Sequence, residues 1–502
     1  MSHLKWLLLI VAAGFALRLA AINLIPPSLN WDEVSLGYNA YSLLKTGRDE
    51  WGTVLPTIFR AYGDYKLPIY IYLATLSPFF VRLPSIIFGT LLIVIAYLLG
   101  RRMSSPFVGL TAALLVAISP WTWWISRIAL EANVGALLIA IGVYCLLSRK
   151  LSLGILFLGL SVWAYNSARV FSPLFLIFFL IINRRRIRLS TMNYLLITIL
   201  FTPMFLQLLM PSGQARLNWL TILDSGAIAQ IDQLQSRPGG RLLYNKATYF
   251  LYRFGQNYMS YFSPDFLFLK GGNHYQFSVQ NHGLLYLISA PFFYIGILDL
   301  IKNYKLKIKN LVWVWLLLAP IAGSLTRDAP HVLRAVPMLP LPMLLTAVGL
   351  DHFGRNVKIL FFVVILLSII NYLLITKSYR NNFSSSWQYG YSEVVQFIKQ
   401  QYSNYDQIIF TKKYGEPHEY VAYFWPWKPA DFGQTKSWDY HANWYWVNSL
   451  DKIKFINDWE IKDLVIKPNT LIVTSPESEI LGHEIKRINF LDGRSAFILY
   501  EK

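Results

Sequence analysis

Two adjacent carboxylates, Asp32 and Glu33, stand in the stretch Asn30-Trp31-Asp32-Glu33-Val34-Ser35-Leu36-Gly37, directly after the first long apolar run, and no basic residue lies closer in sequence than Lys45. A carboxylate held beside hydrocarbon is unfavourable unless something offsets its desolvation. The pair is therefore a candidate for proton chemistry, with Asp32 as a general base and Glu33 orienting it or raising its basicity. A local explanation competes with this. Asp is a favoured helix N-cap, and Glu33 would then sit in the first turn, where the helix dipole favours negative charge.

Other polar residues are expected at the same membrane surface. Asp64 and Lys66 lie in Gly63-Asp64-Tyr65-Lys66-Leu67-Pro68; Arg127 and Glu131 follow a run of tryptophans; and Tyr165, Asn166 and Arg169 form a short polar connection. His331 and Arg334 close Arg327-Asp328-Ala329-Pro330-His331-Val332-Leu333-Arg334, ahead of Pro337, Pro340 and Pro342. Prolines this close loosen a helix, which is tolerated at membrane depth only where protein or a cavity satisfies the freed backbone groups. Lys66, Arg127, Arg169 and Arg334 suit a phosphate, which arginine grips through two parallel hydrogen bonds. A base beside phosphate-binding cations fits one reaction class: displacement of a sugar from a lipid phosphate, with the cations stabilising the leaving group. Competing readings are an interfacial aromatic belt, snorkelling arginines, and a transporter or flippase for an anionic lipid or sugar phosphate. A transporter, however, would place charge near the bilayer midplane rather than at one edge. No cofactor is required, and a divalent metal remains open to Asp32, Glu33, Asp64, Glu131, His274, His282 and His331, although no spacing marks a site.

These residues need a membrane scaffold to hold them. Of 502 residues, 55% are hydrophobic and only 15% charged, well below the usual quarter for a soluble domain. Apolar runs of about 17 to 22 residues are long enough to cross a hydrocarbon core. About eleven such crossings are expected, the first from Leu4 to Ile25 and the last from Ile359 to Ile375, with outer loops at 26–82 and 211–283. The net charge of +19 is topological rather than a nucleic-acid signature. Fifteen Lys or Arg cluster with Asp299 and Asp351 on alternate connections, a net +13 that includes Lys5 and the stretch Lys302 to Lys309. By the positive-inside rule those connections and the N-terminus are cytoplasmic. From Lys377 onward, 15 basic residues balance 15 acidic ones, giving a neutral α/β domain over 377–502, outside the membrane, after a transmembrane domain over 1–376. The single Cys145 excludes an internal disulfide and a cysteine-based metal cluster.

Trp31-Asp32-Glu33, the Gly63 to Pro68 stretch with Tyr70-Ile71-Tyr72, Arg82-Leu83-Pro84-Ser85 and His331 to Pro342 together resemble the protein O-mannosyltransferase and aminoarabinose transferase superfamily. The similarity runs through about 17–127 and 327–350. It implies the C-type glycosyltransferase membrane fold, a polyprenyl-phosphate sugar donor, a catalytic acid at Asp32 and donor-phosphate contacts at Lys66 and Arg334. Many members read Lys-Pro-Pro where this chain has Lys66-Leu67-Pro68, a departure in loop shape and not in charge. The acceptor would be a lipid, glycan or protein hydroxyl. Trp438-Asp439-Tyr440 matches part of an oligosaccharyltransferase signature, but Ser437 and His441 break it, and an aromatic loop is the simpler reading.

Overall fold

The computed structural model describes residues 3–302, 309–442, 444–461, 463–478 and 482–502, so most of the basic connection from Lys302 to Lys309 lies outside the described residues. The chain divides into two compact units, 1–20 with 85–372, and 21–84 with 373–502. This grouping differs from the hydropathy-based division near 376, because the first outer loop folds with the tail.

The first unit is helical. Each of the apolar runs holds a helix, from His3–Leu19 and Leu83–Met103 through Pro106–Ile118, Glu131–Leu147, Leu151–Ala164, Ala168–Ile182 and Thr191–Leu208 to Ala290–Lys302, Lys309–Leu318, Leu341–Asp351 and Arg355–Asn382. Three of these, Leu83–Met103, Thr191–Leu208 and Arg355–Asn382, are long and apolar enough to cross a membrane. The prolines after His331 act as expected. A 3-10 turn at Val336–Met338 precedes the helix Leu341–Asp351, in place of one continuous span.

Arginines close helix ends in this unit. The helix Pro106–Ile118 stops where Ser119 and Pro120 start a short new one, leaving carbonyls without partners at its negative end. The buried Arg18 guanidinium donates to two of them, Val116 O and Ala117 O, both at 3.0 Å.

In the second unit, a seven-stranded mixed sheet has the spatial order 436–441, 444–450, 453–456, 407–411, 470–474, 495–501 and 483–489. Strand Gln407–Thr411 runs parallel to both its neighbours and the remaining pairs are antiparallel. On the helix Trp31–Thr46, Val34 and Tyr38 join the core formed by Tyr391, Val421, Phe432 and the sheet, beneath the tail helix Pro417–Phe424. The hairpin Phe59–Arg60 with Tyr65–Lys66 is fastened at its tip: Tyr445 N–H donates to Tyr62 O at 2.8 Å.

Gly63 at that tip faces the Trp444 ring so closely that a Cβ would stand 2.1 Å from Cε3. Gly63→Val should therefore displace the hairpin and destabilise the second unit by about 1–3 kcal/mol. A thermal melt read through tail tryptophans should show the loss, and an unchanged midpoint would mean that the tip does not bear on Trp444.

Candidate active site

Asn30, not Asp32, caps the helix Trp31–Thr46. Its side chain accepts from Glu33 N at 3.0 Å while Glu33 Oε2 accepts from Asn30 N at 3.2 Å, a reciprocal capping box. Glu33 is fully buried and takes two bonds from Arg82, Nε to Oε1 at 2.7 Å and Nη2 to Oε2 at 2.9 Å. Arg82 also donates to Ile22 O and Ser28 O. Every oxygen of Glu33 is thus held, and its role is to fix the backbone from which Asp32 projects.

Asp32 is the exposed member of the acid pair. Its side chain is 54% accessible and Oδ1 stands 3.1 Å from Lys66 Nζ, which is only 14% accessible. The same ammonium donates to Asp32 O at 3.3 Å. Lys66 ends the hairpin, one residue after Tyr65, whose N–H is held by Asp64 Oδ1 at 2.7 Å. Asp64 therefore shapes the turn that presents Lys66. Pro68 begins the next helix, so a proline at that position starts an element despite the leucine before it.

The remaining candidates belong to the first unit. Arg127 is completely buried, donates to Leu17 O and Arg18 O at 2.9 Å each, and lies over the Trp123 ring at 4.6 Å. It closes the end of helix His3–Leu19 as Arg18 closes its neighbour, and does not snorkel. Arg169 does the same for Leu151–Ala164 by donating to Val162 O, and it also bonds Gln207. Glu131 is the first residue of helix Glu131–Leu147, where its charge suits the dipole. Tyr165 is the buried C-cap of Leu151–Ala164, and Asn166 O accepts from Arg169 N in the turn that follows. Arg334 makes a two-pronged pair with Asp328 at 2.5 and 3.0 Å and also reaches Thr326 Oγ1. His331 N–H donates to Tyr261 Oη at 3.1 Å.

The sequence reading missed a buried polar cluster in the second unit. Glu50 accepts from Tyr62 Oη at 2.8 Å and from Asn39 Nδ2 at 2.9 Å, and Glu416 accepts from Trp444 Nε1 at 2.9 Å. His418 and Glu419 are buried beside them, and the Lys436 ammonium sits 3.8 Å from the Trp51 ring centroid. Burial, with Glu50 adding to it, pushes the Glu419 carboxyl well up, while Lys66 and Lys436 draw it partly back. Burial also holds His418 well below its usual range, helped by Lys436 and Lys412. Glu416 is raised to about 7, chiefly by burial. These residues lie far apart in sequence and among aromatics, so no spacing marked them. Among the described residues, no group of three or more His, Cys, Asp or Glu is arranged to hold a metal.

The chain shares its overall fold with solved ArnT structures, as the resemblance implied. The ArnT protein of Cupriavidus metallidurans, solved bound to undecaprenyl phosphate, superimposes with a TM-score of 0.58 and 12% identity over 99% of this chain and 98% of its own. Its apo form gives the same TM-score at 11% identity over the same shares. The oligosaccharyltransferase of Archaeoglobus fulgidus, tethered to an acceptor peptide, gives 0.50 and 14% over 84% of this chain and 63% of its own. No family model and no curated protein matches the sequence.

The arrangement separates two readings of Arg127. As a helix cap, Arg127→Gln should lower the melting temperature by several degrees and leave the donor KM of the folded fraction in place; as a phosphate ligand it should raise that KM and spare the melt. A pH series tests the buried acid. An acid whose folded pKa lies near 7, against an ordinary 4.5, binds more protons folded than unfolded between those values, so its contribution to stability falls as pH rises from 4.5 to 7. His418, kept neutral by burial, contributes the opposite slope below 6.5. The measurement is therefore the difference between wild type and Glu416→Gln, which should grow in favour of the variant across pH 4.5 to 7.

Proposed function

We propose that this chain is an integral membrane glycosyltransferase that moves a sugar from a polyprenyl-phosphate donor to an acceptor hydroxyl at the outer face of the cytoplasmic membrane. The observation that carries the reading is the Asp32–Lys66 pair: an accessible carboxylate at the N-terminus of a helix whose other acid is locked in place, next to a largely covered ammonium. The neighbour solved with undecaprenyl phosphate supports the donor class. The apolar helices support about eleven crossings, and the basic clusters on alternate connections support a cytoplasmic N-terminus and an outer tail.

Chemically, Asp32 accepts the proton of the acceptor hydroxyl as its oxygen attacks the anomeric carbon. The bond from that carbon to the phosphate oxygen breaks, and its electron pair leaves with the polyprenyl phosphate. One displacement inverts the configuration. Lys66 meets the developing phosphate charge, a transfer of its attention that frees Asp32 to act as base. In the first unit, Arg334, paired with Asp328 and with His331 three positions before it, is a second candidate for binding a phosphate. In the second unit Glu33 and Asp64 shape the backbone around the Asp32–Lys66 pair, and in the first Glu131, Tyr165, Asn166, Arg127 and Arg169 stand at helix ends and turns. No step is routed through a metal.

Sugar transfer, or slow donor hydrolysis, by the purified protein on a panel of polyprenyl-phosphate sugars tests this. Asp32→Asn should lower turnover by about 10²- to 10⁴-fold with donor binding retained. Lys66→Ala should weaken donor binding about tenfold or more. Normal turnover by Asp32→Asn would remove the base assignment, and uptake of an intact lipid or sugar phosphate into sealed vesicles would favour a transporter instead.

A further inference from the structure

The Trp438-Asp439-Tyr440 segment lies not in a loop but on strand Lys436–His441, at the edge of the sheet. Trp438 and Tyr440 are separated by two positions and so share a face. Both are exposed, at 45% and 54%. Their cross-strand partners include Tyr445, opposite Tyr440, with ring centroids 4.6 Å apart for Tyr440–Tyr445 and 5.4 Å for Trp438–Tyr445. Trp51 joins edge-on to Trp438 at 5.6 Å.

Into this aromatic face comes the guanidinium of Arg60, from the hairpin that also carries Lys66. It lies over both the Trp51 ring, at 4.9 Å, and the Tyr445 ring, at 5.0 Å, two rings that are themselves 5.4 Å apart. Among the described residues it has no carboxylate partner and donates no hydrogen bond, so the rings hold its plane while its N–H groups stay available. Tyr65, paired with Arg60 across the hairpin, lies within electrostatic reach of Tyr440 and Tyr445. Because successive strand residues point to opposite faces, the next residue, Lys66, turns the other way, to Asp32.

We propose that this face, Arg60 with Trp438, Tyr440 and Tyr445, binds the acceptor, and that the acceptor is a saccharide bearing carboxylate groups; the acceptor role rests on the transferase reading above. Pyranose rings present flat C–H faces that stack on exposed aromatic rings, while their hydroxyls keep hydrogen bonding to the polar rim. The unpaired guanidinium adds a fixed two-donor fork for a carboxylate. One accessible guanidinium matches the single charge of a uronate, whereas a doubly charged phosphate monoester calls for more than one cation. Lys436 does not supply the second, since it is buried under Trp51 and Phe432.

The test is binding, read by tryptophan fluorescence of the full-length protein in detergent, with three probes: an oligogalacturonate, a neutral oligosaccharide of equal length and a sugar phosphate. The oligogalacturonate should bind saturably and most tightly. Arg60→Gln should weaken it at least tenfold while leaving any weak neutral binding in place, and Trp438→Ala should weaken both, with Trp438→Phe restoring part. A matching thermal melt for each variant separates lost contact from lost folding, and Arg60→Lys, which keeps the charge without the fork, should recover little. Equal binding of neutral and acidic sugars, tighter binding of the sugar phosphate, or no saturable binding of the oligogalacturonate in the millimolar range would overturn the proposal. Because the readout is binding, the two readings fail separately: donor turnover without oligogalacturonate binding sinks this face alone, and binding without donor consumption sinks the transferase assignment.

Discussion

The second unit depends on the contact between Glu33 and Arg82. A buried ion pair recovers the desolvation of its charges only when the remaining donors and acceptors are also satisfied. Here they are. Arg82 divides its donors among both Glu33 oxygens and the carbonyls of Ile22 and Ser28, and Glu33 accepts in addition from the Asn30 backbone. The result ties together the chain on both sides of Pro26-Pro27 and sets where the helix Trp31–Thr46 begins. One residue earlier on that helix, Asp32 bears none of this load and remains half accessible. The adjacent acids therefore stand in different surroundings: one is held on every oxygen in building the backbone, and the other leaves its carboxylate open beside Lys66.

The same electrostatic logic organises the first unit with the opposite sign. Arg18, Arg127 and Arg169 each place a guanidinium on carbonyls at the C-terminal end of a helix. In an apolar surrounding those carbonyls have no water to turn to, so a helix that stops early needs a donor from elsewhere. An arginine offers several in one plane and carries the charge that the negative end of the dipole favours. Helices too short to be spans by length alone are in this way given satisfied ends.

Those arginines also show where reading residues in order succeeds and where it stops. The helices of the first unit were legible because hydropathy reports directly on burial, and strands such as Thr470–Thr474 are legible as short β-branched runs. The strand Trp444–Leu450 was not, because Trp444, Tyr445 and Trp446 put aromatics on both faces and erase the period-two alternation, and Lys436–His441, though Trp438 and Tyr440 alternate with Ser437 and Asp439, reads as an aromatic loop. Asn30 was passed over as the cap in favour of Asp32, although the signal, an Asn three residues before a Glu, was present. A phosphate-binding arginine and a helix-capping arginine look alike in sequence, since both stand beside a helix end. The carbonyls that Arg127 and Arg169 reach are visible only in the folded chain. Glu50, Glu416, His418 and Glu419 left no trace, because a buried polar cluster assembled from distant segments has no spacing to detect.

That cluster bears on what the tail does. Glu50 and Tyr62 come from the first outer loop, and His418, Glu419 and Lys436 from the tail, yet they share one buried environment in which each depends on the others to be partly satisfied. Polar groups removed from water in this manner are unfavourable to separate, because parting them leaves unpaired charge in an apolar interior. The loop is therefore not a free appendage that the tail merely shields. Lys66 sits on a hairpin whose tip is bonded to Tyr445 and fitted against Trp444, and its ammonium acts on both Asp32 and Glu419. The distance between the proposed base and its cation is accordingly set by tail residues more than 300 positions later in the chain. A tail that only covered the site would have no reason to reach into its geometry. One that fixes Lys66 takes part in positioning the proposed base and its cation.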